Sequence, residues 1–327
     1  MRALFGAVLF CCWAAQASAA VLHFGELNTR QVRELDRSRT VLIVPGGILE
    51  EHGPYLPAGT DGIFNQRLAE DLARAIAAKP GWNAVLLPSI PLGAGAANEI
   101  GGKYSFPGSA TVMPQTLRAI FMDLGDQFGA QGFRWILVVH GHGDPAHNRM
   151  LDDAGDYFHD TYGGVMLNVF GYLWAMEPRE FRTQEQRAAD GLAEHATMTE
   201  TSVILALEPG KVAPDFRSAP AQTGATMPAL QQIAANESWP GYFGAPALAT
   251  PELGQKVYGL WLERARELVL GVLDGKPVAG LPRYGTLYAD DPADAAAIAV
   301  NSEMESRHRA WLEKRGAQGA GSASVLP

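Results

Sequence analysis

Residues 40–61 read Thr-Val-Leu-Ile-Val-Pro-Gly-Gly-Ile-Leu-Glu-Glu-His-Gly-Pro-Tyr-Leu-Pro-Ala-Gly-Thr-Asp. The first six are a short, continuously apolar, β-rich run, the pattern of a strand buried on both faces. Glycine-rich loop residues follow, and then acidic and imidazole side chains. A second stretch repeats the arrangement: Trp135-Ile-Leu-Val-Val139 opens directly into His140-Gly141-His142-Gly143-Asp144. Open α/β sheets bind their ligands beyond the carboxyl ends of strands. Both loops therefore fall where such a fold places its chemistry.

Working outward, helix-compatible segments span 29–37, 64–79, 116–128, 145–157 and 252–273. In the second, Leu68, Leu72 and Ile76 recur at four-residue spacing and define an apolar stripe. Pro145 opens the fourth in the first turn, where its missing N–H costs nothing. Further strands are predicted at 84–88 and 164–169. Strands alternating with helices imply an α/β fold with a mostly parallel sheet. The stretch 177–251, rich in Ala, Pro and Gly, reads as long irregular loops around a site. No repeat or linker divides the chain, so one domain is expected over 20–315, with 316–327 a disordered tail.

Residues 1–20 read MRALFGAVLFCCWAAQASAA. A single Arg, an apolar run and then Ala17-Ser18-Ala19 form the layout of a secretory signal peptide cut after Ala19. The run is shorter than the roughly 20 apolar residues that span a bilayer. A periplasmic or secreted protein is expected, without membrane insertion once the signal is removed. Cys11 and Cys12, the chain's 2 cysteines, both lie in this segment. The exported chain would thus have no disulfide, thiolate ligand or cysteine nucleophile. With 26 Lys+Arg against 35 Asp+Glu, no basic excess exists to neutralise phosphates, which argues against nucleic-acid binding.

Glu50 and His52, two apart in an extended loop, project to the same side. Asp61 follows a Pro- and Gly-containing loop that can fold back toward them. Carboxylates and imidazole without sulfur suit Zn²⁺, Mn²⁺ or Fe²⁺. His142 and Asp144 form a second group; Glu194-His195-Ala196 with Glu200-Thr201-Ser202 forms a third. Together they make a two-metal hydrolase constellation. Of the eight histidines, His23, His159 and His308 stand apart from any motif and read as surface. His147 reads as structural, His140 stands evenly between ligand and support, and His52, His142 and His195 read as functional.

These blocks resemble the signature of the creatininase (creatinine amidohydrolase) family. The resemblance rests on Glu50-x-His52-Gly53-x-x-Leu56-Pro57 with Thr60-Asp61, on Phe106-Pro107-Gly108-Ser109, on Gly141-His142, and on Glu194-His195-Ala196 with Glu200-Thr201-Ser202. They follow the family's order from about residue 25 to residue 275. The resemblance implies a three-layer α/β/α fold and two divalent metal ions, with zinc expected and manganese or iron as alternatives. It places Glu50, His52, Asp61 and His142 on metal ligands, with Asp61 bridging. Asp144 falls on a position where creatininase has a ligand Glu, and Glu200 on a ligand or supporting acid. His195 falls on the catalytic histidine, with Glu194 steering it. It further implies a small amide substrate and a homo-oligomer, a hexamer in creatininase itself. Glu51, Tyr55, His140 and Pro145 depart from the family pattern without removing a core ligand. An exported metal-dependent amidohydrolase is therefore expected to cleave a C–N bond in a cyclic amide such as creatinine, or in a related small amide or peptide. The alternative is a non-catalytic exported binding protein that retains the fold. A two-metal phosphoesterase is disfavoured, since no Lys or Arg lies in the three motifs to clamp a phosphate.

Overall fold

The computed structural model describes residues 21–176, 181–192, 195–288 and 294–319. The segment read as a signal peptide lies outside them. Among the described residues, five strands form one sheet: β1 (Leu22–His23), β2 (Thr40–Pro45), β3 (Asn83–Leu86), β4 (Trp135–Val139) and β5 (Val165–Asn168). Their order is β1-β3-β2-β4-β5, and every adjacent pair is parallel. Helices connect and follow them: α1 (Thr29–Glu34), α2 (Thr60–Ala77), α3 (Ala97–Ile100), α4 (Pro114–Ala130), α5 (Pro145–Tyr162), α6 (Val169–Ala175), α7 (Gln184–Asp190), α8 (Met198–Leu207), α9 (Met227–Ala235), α10 (Pro251–Leu273), α11 (Tyr284–Leu287) and α12 (Asp294–Gly319).

Strand side chains alternate between two cores, as a period of two requires. Val41, Ile43, Ala84, Leu86, Leu137 and Val139 face one side, where Phe64, Leu68 and Leu72 of α2 pack with residues of α8 and α10. Leu42, Val44, Val85, Ile136 and Val138 face the other, against Leu117 and Phe121 of α4 and Leu151 and Phe158 of α5. The result is the expected three-layer sandwich. Each fully buried Leu or Phe contributes about 1.5–3 kcal/mol relative to exposure. After β2 the chain moves to β3 on one side, whereas after β4 it moves to β5 on the other. The carboxyl ends of β2 and β4 therefore border the switch in strand order where α/β sheets open a crevice.

The expectation for 177–251 needs correction, because the segment carries α7, α8 and α9. Thr183 and Gln186 form a reciprocal capping box at the start of α7, a sequence-level signal. Thr226 caps α9, and Pro228 sits in its first turn. Helix α8 lacks a single apolar stripe: Met198, Thr201, Ser202, Val203 and Ile204 are all buried. A helix enclosed on many sides loses the 3.6-residue signature. Helix α12 crosses the boundary drawn at 316 and continues through Gly319, while 320–327 lie outside the described residues.

Candidate active site

The loop after β2 turns at Gly53, whose φ of +65° favours glycine and whose Cα lies too near the Tyr242 ring for a Cβ. The Glu50 N–H donates to the Ala58 carbonyl (3.0 Å). This closure brings Asp61, in the first turn of α2, back to Glu50 and His52. A carboxylate is favoured there by the helix dipole. From β4, His142 arrives on a segment clamped by Asn65. The Asn65 amide accepts from Gly141 N (2.8 Å) and donates to Gly141 O (2.9 Å). His195 and Glu200 flank Ala196, the non-glycine residue with positive φ (50°) among those described. Its N–H donates to Glu200 Oε2 at 2.5 Å.

The hydrogen-bond partners settle which nitrogen of each ring is available. A carbonyl oxygen only accepts, so a ring nitrogen facing one carries the hydrogen. His52 Nδ1 donates to Glu50 O (3.0 Å), leaving Nε2 toward Asp61 Oδ1 (3.4 Å) and Glu200 Oε2 (3.9 Å). His142 Nε2 donates to Gly95 O (2.9 Å), leaving Nδ1 toward Asp61 Oδ2 (3.0 Å) and Glu50 Oε2 (3.3 Å). His195 Nε2 donates to Glu51 O (2.5 Å), leaving Nδ1 toward Glu50 Oε1 (3.5 Å). The backbone thus holds all three rings by one nitrogen and turns the other toward carboxylates, where it can act as a ligand or carry a proton.

Three donor groups result, each with its ligand atoms within 4.8 Å of one another: Glu50 with Asp61 and His142, His52 with Asp61 and Glu200, and Glu50 with His52 and His195. Asp61 belongs to the first two groups and offers a different oxygen to each imidazole. Glu50 Oε2 and His52 Nε2 are buried without a hydrogen-bond partner, an expensive arrangement unless a ligand satisfies them. Nitrogen and oxygen donors with no sulfur, closely spaced and partly orphaned, fit borderline divalent cations.

The same crowding perturbs the protonation equilibria. Burial pushes the Glu50 carboxyl well up despite the opposing His142 charge. Burial likewise raises Glu200 against the attraction of His52. Asp61 is also disfavoured as an anion by burial, but the hydrogen bond from His142 and the adjoining His52 imidazole overcome this and hold it low. Burial pulls His52 down, yet the adjoining Asp61 and Glu200 carboxylates win and push it up to about 10. For His195, burial and the neighbouring His52 both act downward, and it lies well below its ordinary value.

Behind this group lies a second histidine pair. His140 Nε2 donates to Ile90 O (2.9 Å), and its Nδ1 accepts from His147 Nε2 (3.1 Å). His147 Nδ1 in turn accepts from Ala94 N (3.3 Å). Burial holds His140 down at about 4 and His147 well below the usual range. Both support the site as neutral rings, and neither joins a donor group. His23, His159 and His308 are exposed.

Of the residues singled out in the sequence, Glu50, His52, Asp61, His142, His195 and Glu200 come together. Asp144 falls outside the three donor groups. It lines the cavity above them and caps α5, accepting from His147 N (2.6 Å). Asp followed by Pro at a helix start is itself a capping signal, and that local role competes with ligation. Glu194 lies outside the described residues. The Phe106–Ser109 block enters through Ser109, whose hydroxyl donates to the buried Glu51 carboxylate.

Several contributors carried no motif. Ala97 N donates to Glu50 Oε1 (2.5 Å). Asn65 resembles any polar residue on a helix. Glu99, on α3, is buried and lines the cavity. That cavity has a volume of about 320 Å³ and is lined by Glu50, His142, His195 and Glu200 together with apolar Ile100, Leu192 and Met227.

A family model described as creatinine amidohydrolase matches residues 25–269. Among curated relatives, a mycofactocin precursor peptide peptidase of Mycobacterium ulcerans (strain Agy99) is 28% identical over 246 residues, covering 72% of this chain and 86% of the relative. A creatinine amidohydrolase of Pseudomonas putida is 24% identical over 185 residues, covering 53% of this chain and 66% of its own. A mutant creatininase solved in a Zn–Zn form superposes with a TM-score of 0.57 at 19% identity, spanning 76% of this chain and 97% of its own. A manganese form superposes at 0.55 and 18% identity, over 76% and 98%.

Proposed function

The chain belongs to the creatininase family, and from that premise we propose that it is an exported, two-metal amidohydrolase of small amides, whether cyclic amides such as creatinine or short peptides. The observation that carries this reading is the sharing of Asp61 between two donor groups. Glu50, Asp61 and His142 would hold one divalent ion, and His52, Asp61 and Glu200 a second. Zinc suits this set, with manganese or iron as alternatives. Ions bound there supply a Lewis acid for the amide carbonyl and lower the pKa of water to about 7.

The protein's own groups account for the remaining chemistry. His195 lines the cavity with Nε2 tied to the Glu51 carbonyl, so Nδ1 is the atom that can accept and return a proton. It takes the proton released as water attacks and delivers it to the departing amide nitrogen. The Glu51 carbonyl orients the ring; Glu194, the acid that the family resemblance sets beside it, lies outside the described residues. Asn65 and Gly95 hold the His142 segment in place. The apolar walls limit bulk water around the reacting bond.

Export rests on the layout of residues 1–20, and a homo-oligomer on the family resemblance. Among the described residues no helix is long and apolar enough to cross a membrane. The function is tested by assaying the purified protein on a panel of cyclic amides, linear amides and short peptides. Hydrolysis of at least one, abolished by a chelator and restored by Zn²⁺ or Mn²⁺, is expected. Metal-replete protein inactive on the whole panel would contradict the reading.

A further inference from the structure

Beyond residue 269, where the family match ends, the chain returns to the cavity and lines it with Tyr284, Tyr288 and Ala297. This added segment is firmly attached. The Arg283 guanidinium forks onto Asp156 of α5 (2.7 and 2.8 Å). The Tyr284 hydroxyl donates to Gly143 O (2.9 Å), and its ring packs on those of Tyr288 and Trp174. Gly285 lies so close to α5 that a Cβ there would come within 2.6 Å of Arg149 N. From α12, Asn301 Nδ2 donates to Glu99 Oε2 (3.3 Å).

The chemistry of this wall is one-sided. Among the described residues lining the cavity none is Lys or Arg. Glu50 and Glu200 belong to the donor groups, but Glu99 and Asp144 do not. The side chains that hydrogen-bond to Glu99, Thr111 and Asn301, are neutral. Burial and the Asp144 charge push Glu99 up to about 7, outweighing the Ala96 N–H and the His142 charge that act downward. Tyrosine faces attract cations. A substrate carboxylate or phosphate on this side would meet like charge, whereas an ammonium would meet carboxylates and aromatic rings. Building on the amidohydrolase reading, we propose that Glu99 and the added segment around Tyr284 and Tyr288 form a specificity-determining wall that selects amides carrying a protonated amine.

The test uses two probes of equal length, β-alaninamide and butyramide, which differ in having an ammonium or a methyl at the far end. Each is titrated by calorimetry into the full-length, metal-loaded protein at about pH 8, above the Glu99 value, so that its carboxylate is ionised. β-Alaninamide should bind at least ~10-fold more tightly, a gap of about 1.4 kcal/mol. The preference should shrink to within about 3-fold in Glu99→Gln and in Tyr288→Ala, and survive in Tyr288→Phe, which keeps the aromatic face. Equal affinities in the unsubstituted protein, or a preference unchanged in Glu99→Gln, would overturn the proposal. So would failure of β-alaninamide to bind. Metal-dependent hydrolysis of some other amide in that case would leave the hydrolase reading standing and remove only the amine selection.

Discussion

Two groups of histidines lie side by side beneath the cavity, and their burial does not distinguish them. His52 and His142 are as enclosed as His140 and His147, yet their protonation is driven in opposite directions. In the first pair, one nitrogen is held by a carbonyl and the other faces carboxylates. In the second pair, both ring nitrogens have protein partners, including each other. The lesson concerns ligands in general: an imidazole becomes available to a metal when one nitrogen is fixed by the backbone and the other faces carboxylates that can share the ion.

Substitutions can break this distinction. His142→Ala should have the largest effect, with loss of about one ion per chain and of turnover, because it removes a donor from a three-donor group. Elemental analysis and an amide assay would show it; full metal content would place the ion elsewhere. His195→Ala should retain its metals while kcat falls about 10²–10⁴-fold, the usual contribution of a positioned acid–base group. His147→Ala should keep metal content unchanged and lower stability by about 1–3 kcal/mol, since it leaves a buried His140 nitrogen unpartnered. Denaturant unfolding measures that loss, and a variant that also loses metal would erase the contrast between the pairs.

The smallest effect extends the comparison to carboxylates. Asp152 is buried outside the donor groups and accepts from Asn168 (3.2 Å). Burial, only partly offset by that hydrogen bond, pushes it up to about 6. Its folded-state pKa thus exceeds the unfolded value of about 3.9, so the native state binds the proton more tightly. This group's contribution to stability is greatest below about pH 4, declines as pH rises through 6, and leaves the full cost of a buried anion above that. Asp152→Asn should therefore raise Tm by about 2–4 °C at pH 8 and have little effect near pH 4. A thermal scan showing the gain at acid pH instead would reverse the assignment.

Much of this was legible in the sequence where one physical cause dominated. The limits of β2 and β4 were read to the residue, because a strand buried on both faces leaves a continuous apolar run. The candidate donors beyond those strands followed from their position at the strands' carboxyl ends. Helix α8 was obscured because burial on many sides erases periodicity, and the capping contact of Asp144 because a capping aspartate looks the same in sequence as a ligand. Asn65, Ala97 and Glu99 act through tertiary contacts that leave no local pattern. The tyrosines of the added segment fell outside the family's blocks, and only the fold brings them to the cavity.

The central claim is that Asp61 serves two ions at once. The most direct measurement is elemental analysis of the purified protein and of Asp61→Asn after incubation with Zn²⁺ or Mn²⁺ and removal of unbound metal. The account predicts about two ions per chain in the first and a loss from both sites in the second. One ion in the unsubstituted protein, or a variant that still holds two, would contradict the shared carboxylate and the two-metal site built on it.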